Sequence, residues 1–329
     1  MDKKPTRNDV AKAAGTSTAV VSYVINNSNY VSPEKRAAVE QAIKELNYKP
    51  NIYARGLRSN QTRHVALVGD SLQDELFAMI ASDLFDHGYY SSLTYSQIND
   101  EFVDMLIERR FDGVFMASNS FSAQQLNRIV DNGIHLVLHQ SRSYEGLDQR
   151  IVAIGPDFYD GIKKSVNYLA LKGHKRIGLI SPVGFRTRGV QGNDFRTRGY
   201  VKAMEDNNLE IIPENVCIHT ESVDSICADI LNMLSASIRP TALVIGNDYL
   251  AAQVMQYLKK LGLRIPEDMA VVGWGDMPYA EITSPQLTTV DCMIPFCAKK
   301  ISSALLALFR KQIPESERIR VNLKIRESA

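Results

Sequence analysis

The sequence predicts a small all-helical headpiece followed by a larger α/β body built on two parallel sheets. Three observations predict it. Three short segments with helix-start signals and apolar stripes fill the first fifty residues. Pro50 forbids continuation of the third. From His64 onward, short apolar strands alternate with amphipathic helices, the signature of parallel sheets covered on both faces.

The headpiece elements follow from local chemistry. Thr6 with Asp9 makes a capping-box-like start for a short Ala-rich helix, and Gly15 ends it because a residue without Cβ takes the tight turn. Ser17 caps a second helix with Val21, Val24 and Ile25 on one face and Thr18, Ala19, Ser22, Tyr23 and Asn26 on the other. Ser32-Pro33 begins a third helix whose Val39, Ala42, Ile43 and Leu46 form its inner stripe. A small residue and Gly at the turn, with an outward-facing helix start, meet the requirements of a helix-turn-helix. Asn51–Arg58 is about two turns of helix, too short to be stable alone in water and weakened by Gly56.

Charge separates the two parts. Residues 1–63 hold 11 Lys+Arg against 5 Asp+Glu, a net of +6, and the remainder nets −5. A basic head on an acidic body points to an anionic partner for the head alone.

In the body, strands are expected near 64–68, 90–95, 113–117, 135–139, 150–154, 176–180, 217–220, 243–246, 270–273 and 318–325, with helices between most of them. Ten strands in some 265 residues suit two sheets better than one. The expected layout is a headpiece over 1–50, a hinge helix and linker over 51–62, and a two-lobed body over 63–329.

Other classes find little support. Cys217, Cys227, Cys292 and Cys297 form no CxxC pair and are expected to be reduced thiols. The N-terminus lacks an apolar signal region, and no run approaches the roughly 20 apolar residues of a membrane span. A cytoplasmic, nucleoid-associated protein is therefore expected. His135 and His139 would sit on one strand face about 13 Å apart, too far to share a metal. P-loop, GxSxG and HExxH motifs are missing, so no enzyme activity and no cofactor are expected, and a sugar-metabolising enzyme is a distant alternative.

Asn8-Asp-Val-Ala-Lys-Ala-Ala-Gly15-Thr-Ser17, Val21-Ser22, Asn26-Asn27, Val31-Ser32 and Leu46-Asn-Tyr48-Lys-Pro50-Asn51 resemble the headpiece of the LacI/GalR family of bacterial transcription regulators. The resemblance continues through Ala54-Arg-Gly-Leu-Arg58, similar to that family's hinge helix. It resumes at Gly173-His174, Arg196-Thr-Arg-Gly199-Tyr200, Asn247-Asp248, Pro266-Glu-Asp268, Val272-Gly273 and Leu287-Thr-Thr-Val290.

It implies a homodimer on a near-palindromic operator, with Thr18, Ala19, Ser22, Tyr23 and Asn26 at or near the bases and Leu57 in the minor groove. Val20 and Tyr23 replace the Thr and Arg usual there, and Tyr23 has no bidentate fork for guanine. The body resembles a periplasmic sugar-binding protein, which implies a small effector between two lobes. Arg196, Asn247, Trp274 and Asp276 are its expected contacts, with Asp160 and Asp70 as further candidates. Asn247 could instead cap a helix, and Trp274 could be core. The acid usual after Gly273-Trp274 is here Gly275, and the first-lobe loop after Val68 is short. Phe185-Arg-Thr-Arg-Gly189 recurs as Phe195-Arg-Thr-Arg-Gly199. The effector is expected to be a sugar, a sugar phosphate or a sugar acid; a protein co-regulator is the alternative input.

Overall fold

The computed structural model describes residues 5–49, 61–70, 75–181, 193–217 and 223–329. The chain divides into two compact units, Met1–Thr62 and Arg63–Ala329.

In the first unit the helices are α1 (Arg7–Ala13), α2 (Thr18–Asn26) and α3 (Pro33–Glu45). Thr6 and Asp9 form a reciprocal capping box on α1, and the Ser17 hydroxyl accepts from the Val20 amide at the start of α2. Pro33 stands at the first turn of α3, but Ser32 makes no side-chain cap bond there. Gly15 turns the chain with φ +61. Val10, Val21, Val24, Val31, Val39, Ala42 and Tyr48 fill the shared core. The expected hinge helix Asn51–Arg58, with Gly56 and Leu57, lies outside the described residues.

The second unit is two α/β lobes. Lobe 1 holds β1 (His64–Gly69), β2 (Tyr90–Tyr95), β3 (Gly113–Met116), β4 (His135–Leu138) and β5 (Val152–Pro156), with α4 (Glu75–Asp86), α5 (Asp100–Glu108) and α6 (Ala123–Asp131) between them. Lobe 2 follows with α7 (Phe158–Leu171), β6 (Ile177–Ile180), α8 (Phe195–Asp206), β7 (Val216–Cys217), α9 (Val223–Ser235), β8 (Ala242–Ile245) and α10 (Asp248–Lys260). Next come β9 (Ala270–Gly275), α11 (Tyr279–Ile282) and β10 (Thr288–Asp291). The chain then returns to lobe 1 as α12 (Ile294–Phe309) and β11 (Glu317–Ile319) before ending in lobe 2 with β12 (Asn322–Lys324).

The strand order is β11-β5-β4-β3-β1-β2 in lobe 1 and β12-β10-β9-β8-β6-β7 in lobe 2. Every pairing is parallel except β10 with β12. Central strands such as β3 and β8 are buried along their whole length, as helices on both faces require.

The ten expected strands are twelve among the described residues: Thr288–Asp291 was not expected as a strand, and the run over 318–325 divides. The single strand expected over 318–325 is two strands in two different sheets. Glu317–Ile319 pairs with β5, whereas Asn322–Lys324 pairs with β10. Periodicity sees one run, because only Arg320 and Val321 separate the two strands.

Lobe 2 depends on close packing of α7 against α8. A Cβ built on Gly199 would lie 2.4 Å from the Tyr159 carbonyl oxygen, a backbone atom that cannot rotate away. Gly199→Ala should therefore destabilise the body by about 1–3 kcal/mol or more. Urea unfolding of the variant beside the wild type measures it, and an unchanged midpoint would contradict the close approach.

Candidate functional site

The headpiece presents a polar face. Thr18, Ala19 and Tyr23 of α2 are exposed, Ser22 and Asn26 are half-exposed, and Val21 and Val24 are buried beneath them. Val20 packs partly into the core, which leaves it less to offer at the surface. The Asn26 amide donates to the Ser22 carbonyl and hydroxyl at 2.9 and 3.2 Å, so it folds back along its own helix. Leu57 lies outside the described residues. Tyr30, 90% exposed in the turn before α3, was not singled out in the sequence. An aromatic between two Asn/Ser-rich stretches is the only local signal for it.

In the body, a cluster forms where the lobes meet. Phe158, at the start of α7, stacks on Trp274 with ring centroids 5.1 Å apart. The Arg196 guanidinium lies 4.1 Å above the Phe158 ring and 5.7 Å from that of Trp274. From lobe 1, the His139 ring meets Phe158 edge-on at 5.4 Å. Trp274 is only 4% exposed and fills the space left by Gly161, so it acts mainly as packing.

Arg196 is placed by the start of α8. Asp194 caps that helix, its Oδ1 accepting from the Arg196 and Thr197 amides at 2.8 and 3.2 Å. Its other oxygen lies 3.6 Å from Arg196 Nη1 and has no hydrogen-bond partner. Arg196 Nε, Thr197 Oγ1 and Ser181 Oγ are also buried without partners among the described residues. Three of these atoms belong to the start of α8, and Ser181 directly follows β6. Buried polar atoms are nearly always bonded, so such a group offers donors and acceptors to a small polar molecule.

The lobes also touch through their backbones. The Phe195 amide donates to the Ser141 carbonyl at 2.9 Å, and the Ser143 amide to the Asn193 carbonyl at 3.0 Å. Arg142, between them, is fixed by bonds to the Asn119 and Phe121 carbonyls, both 2.7 Å. A pocket of about 380 Å³ opens beside this clasp, lined by Ser120, Arg142, Tyr144 and Asn193 among others.

The remaining sequence candidates have other engagements. Asn247 Oδ1 accepts from the Leu250 amide at 2.7 Å and caps α10. Asp160 ion-pairs with Lys164 at 2.6 Å. Asp276 is bound to Lys324 and, at 2.6 Å, to Arg326, which ties the loop after β9 to the C-terminal strand. Asp70 accepts from the Ser96 hydroxyl at the end of β1. Asp248, which sequence reasoning passed over, is the buried carboxylate of this region. It accepts from Thr289 Oγ1 at 2.6 Å and from the Met277 amide at 2.8 Å. Its place beside Asn247 was the available signal.

Burial sets the charges. It pushes the Asp194 carboxyl up, opposed by Arg196 and the two amides. It pushes the Cys297 thiol up to about 12 and raises Cys292 too, so neither is a ready nucleophile. His139 is lowered to about 4 by burial and then by the Arg196 charge, so its ring is neutral. No group of three or more His, Cys, Asp or Glu among the described residues could hold a metal. None of the described helices is long and apolar enough to cross a membrane.

The geometry defines a helix-turn-helix unit on a chain whose body is a two-lobed binding-protein fold. Residues 6–51 match the family described as bacterial regulatory proteins, lacI family, and residues 166–329 match a periplasmic binding protein-like domain. The chain is 31% identical to the HTH-type transcriptional repressor PurR of Serratia proteamaculans (strain 568), over 98% of this chain and 95% of that one. It is 29% identical to the NTD biosynthesis operon regulator NtdR of Bacillus subtilis (strain 168), over 87% of each. Among solved structures, the Lac repressor dimer bound to operator and the anti-inducer ONPF superposes with a TM-score of 0.82 at 25% identity, over 99% of each chain. The chain belongs to the lacI family of bacterial regulatory proteins, and it is a DNA-binding transcriptional repressor.

The neutral His139 makes stability depend on pH. Its folded pKa lies below the ordinary 6.5, so between 6.5 and about 4 the unfolded chain binds a proton that the folded one refuses. Stability is therefore full above pH 6.5 and falls as pH drops towards 4. His64, His135 and His174 are lowered in the same direction. Urea midpoints at pH 7 and pH 5 should differ less in His139→Gln than in the wild type; an equal loss would remove His139 from the account.

Proposed function

We propose that this repressor reads its operator with the exposed face of α2 and is controlled by a small hydroxylated, carbohydrate-type effector bound between the two lobes. In this reading residues 1–50 bind the major groove, with Thr18 and Ala19 leading and Ser22, Tyr23 and Asn26 behind them. Residues 51–62 form the hinge, Leu57 entering the minor groove, and residues 63–329 sense and dimerise. Arg196 is the central effector contact.

The observation that carries the effector class is the mixed character of the unpaired cluster. Arg196 Nε can only donate, Asp194 Oδ2 as a carboxylate can only accept, and the Ser181 and Thr197 hydroxyls can do either. A ligand hydroxyl satisfies both kinds at once. A phosphate or carboxylate would bond to Arg196 but face Asp194 as a like charge, so the anionic effectors fit less well than neutral sugars. A transcriptional regulator CelR in complex with cellobiose, similar to this chain with a TM-score of 0.69 at 27% identity over 99% of this chain and all of that one, is in keeping with a sugar. Release of the operator on binding is the proposed direction of the switch.

A homodimer is supported by apolar surface in both lobes. Tyr90, Leu93 and Tyr95 are exposed on edge strand β2 beside Phe85 of α4, and Tyr249, Tyr279 and Ile282 are exposed in lobe 2. Phe85→Glu with Leu93→Glu should yield a monomer by light scattering, with operator affinity lost along with the second half-site. A variant that stays dimeric would place the interface elsewhere.

Calorimetric titration tests the effector. Cellobiose, sucrose and glucose should include a binder, while glucose 6-phosphate and gluconate bind more weakly than their neutral counterparts. Arg196→Ala should weaken the binder about 10- to 100-fold. Preference for the anions would overturn the hydroxyl reading, and a full panel without any shift in operator affinity would favour a protein co-regulator.

A further inference from the structure

We propose that Asp112 is a positioning residue for DNA binding: it fixes the backbone of Arg63, the first residue of the sensor body, immediately after Thr62. The proposal rests on the headpiece as the DNA reader and not on the identity of the effector.

Arg63 adopts φ +52, a left-handed conformation that a non-glycine residue holds only where its surroundings impose it. The imposing contacts are long-range. Asp112 Oδ2 accepts the Arg63 amide at 2.8 Å, across a separation of 49 residues, and the Arg63 carbonyl accepts the Tyr90 amide at 2.8 Å. Both polar groups of the Arg63 backbone are thus held by lobe 1 immediately after Thr62. The Arg63 guanidinium lies against the Gly88 turn, where an added Cβ would be 3.4 Å from Nη1.

Asp112 is itself well anchored. Its amide donates to the His64 carbonyl at 2.9 Å and its carbonyl accepts the His135 amide at 3.2 Å, so it laces the starts of β1, β3 and β4 together. Phe111 beside it packs edge-on against His64 at 4.8 Å. The charged neighbours whose fields reach this corner are Arg63, Arg109 and Arg310, with Tyr89 and the two histidines. Burial lowers the pKa of both His64 and His135, which favours neutral rings beside the carboxylate. Asp112 is therefore a fixed acceptor at the N-terminal ends of the central strands β1, β3 and β4, bonded to a residue in the left-handed region at the start of the body. A residue that only stabilised the sheet would not need a side-chain bond to the amide of the incoming chain.

The test uses the full-length protein and the DNA duplex that the wild type selects from a random-sequence library, at one fixed salt concentration. Asp112→Ala should weaken operator binding about tenfold or more, the size of ordinary coupling effects. The Arg63 amide should exchange hydrogen faster in this variant, with the headpiece helices and the body melting temperature near the wild-type values. Asp112→Asn keeps an acceptor oxygen in place and should bind within a few-fold of wild type. Asp112→Glu keeps the charge but moves the acceptor by one methylene and should bind several-fold more weakly. Where Asp112→Ala does not fold, the order of Asn above Glu carries the test. Wild-type affinity in a folded Asp112→Ala, or Glu binding better than Asn, would overturn the proposal.

Discussion

A guanidinium kept charged inside an apolar junction is the constraint around which the body is arranged. Arg196 cannot shed its proton, so the fold must supply other solvation for it. The Phe158 face takes one side, and the Asp194 carboxylate, 3.6 Å from Nη1, supplies the opposing charge. Asp194 can be there only because it also caps α8, which fixes its rotamer and its distance from Arg196. Capping, charge balance and ring stacking are therefore one arrangement. Its geometry leaves Nε and the second carboxylate oxygen without a hydrogen bond.

The same helix start belongs to both lobes. Asn193 and Phe195 pair through their backbones with Ser143 and Ser141 of lobe 1, while α8 packs on α7 close enough to require Gly199. A molecule satisfying Arg196 and Asp194 would thus bear on the lobe–lobe contact without any long relay. The chain crosses between the lobes three times, after β5, after β10 and between β11 and β12, and each lobe keeps its own core. Differential affinity for two arrangements of the lobes is what a switch needs.

Much of the fold was legible in the sequence because its signals are local. Thr6 with Asp9, Ser17, Gly15 and Pro33 mark helix ends by bonds or dihedrals reaching no more than four residues. The alternation of buried strands with amphipathic helices gave the two-sheet body for the same reason. The late strands differ from expectation, since nothing local distinguishes one strand from two separated by a two-residue crossover.

The site divides along the same line. Residue type and motif alone singled out Arg196, and the structure sets it on Phe158 beside Asp194, within reach of lobe 1. What the neighbouring candidates do was decided only by tertiary contacts. Asn247 caps α10, Asp276 is held by Lys324 and Arg326 from the far end of the chain, and Trp274 is buried against Gly161. Asp112 carried no motif, and His139 and Asp248 stood in the sequence only as half of a His pair and as the neighbour of Asn247. Their roles arise from partners 49, 57 and 41 residues away, Arg63, Arg196 and Thr289. Local bonding preferences are written residue by residue in the sequence, whereas the burial and field that fix a carboxylate's partner exist only once distant segments have packed.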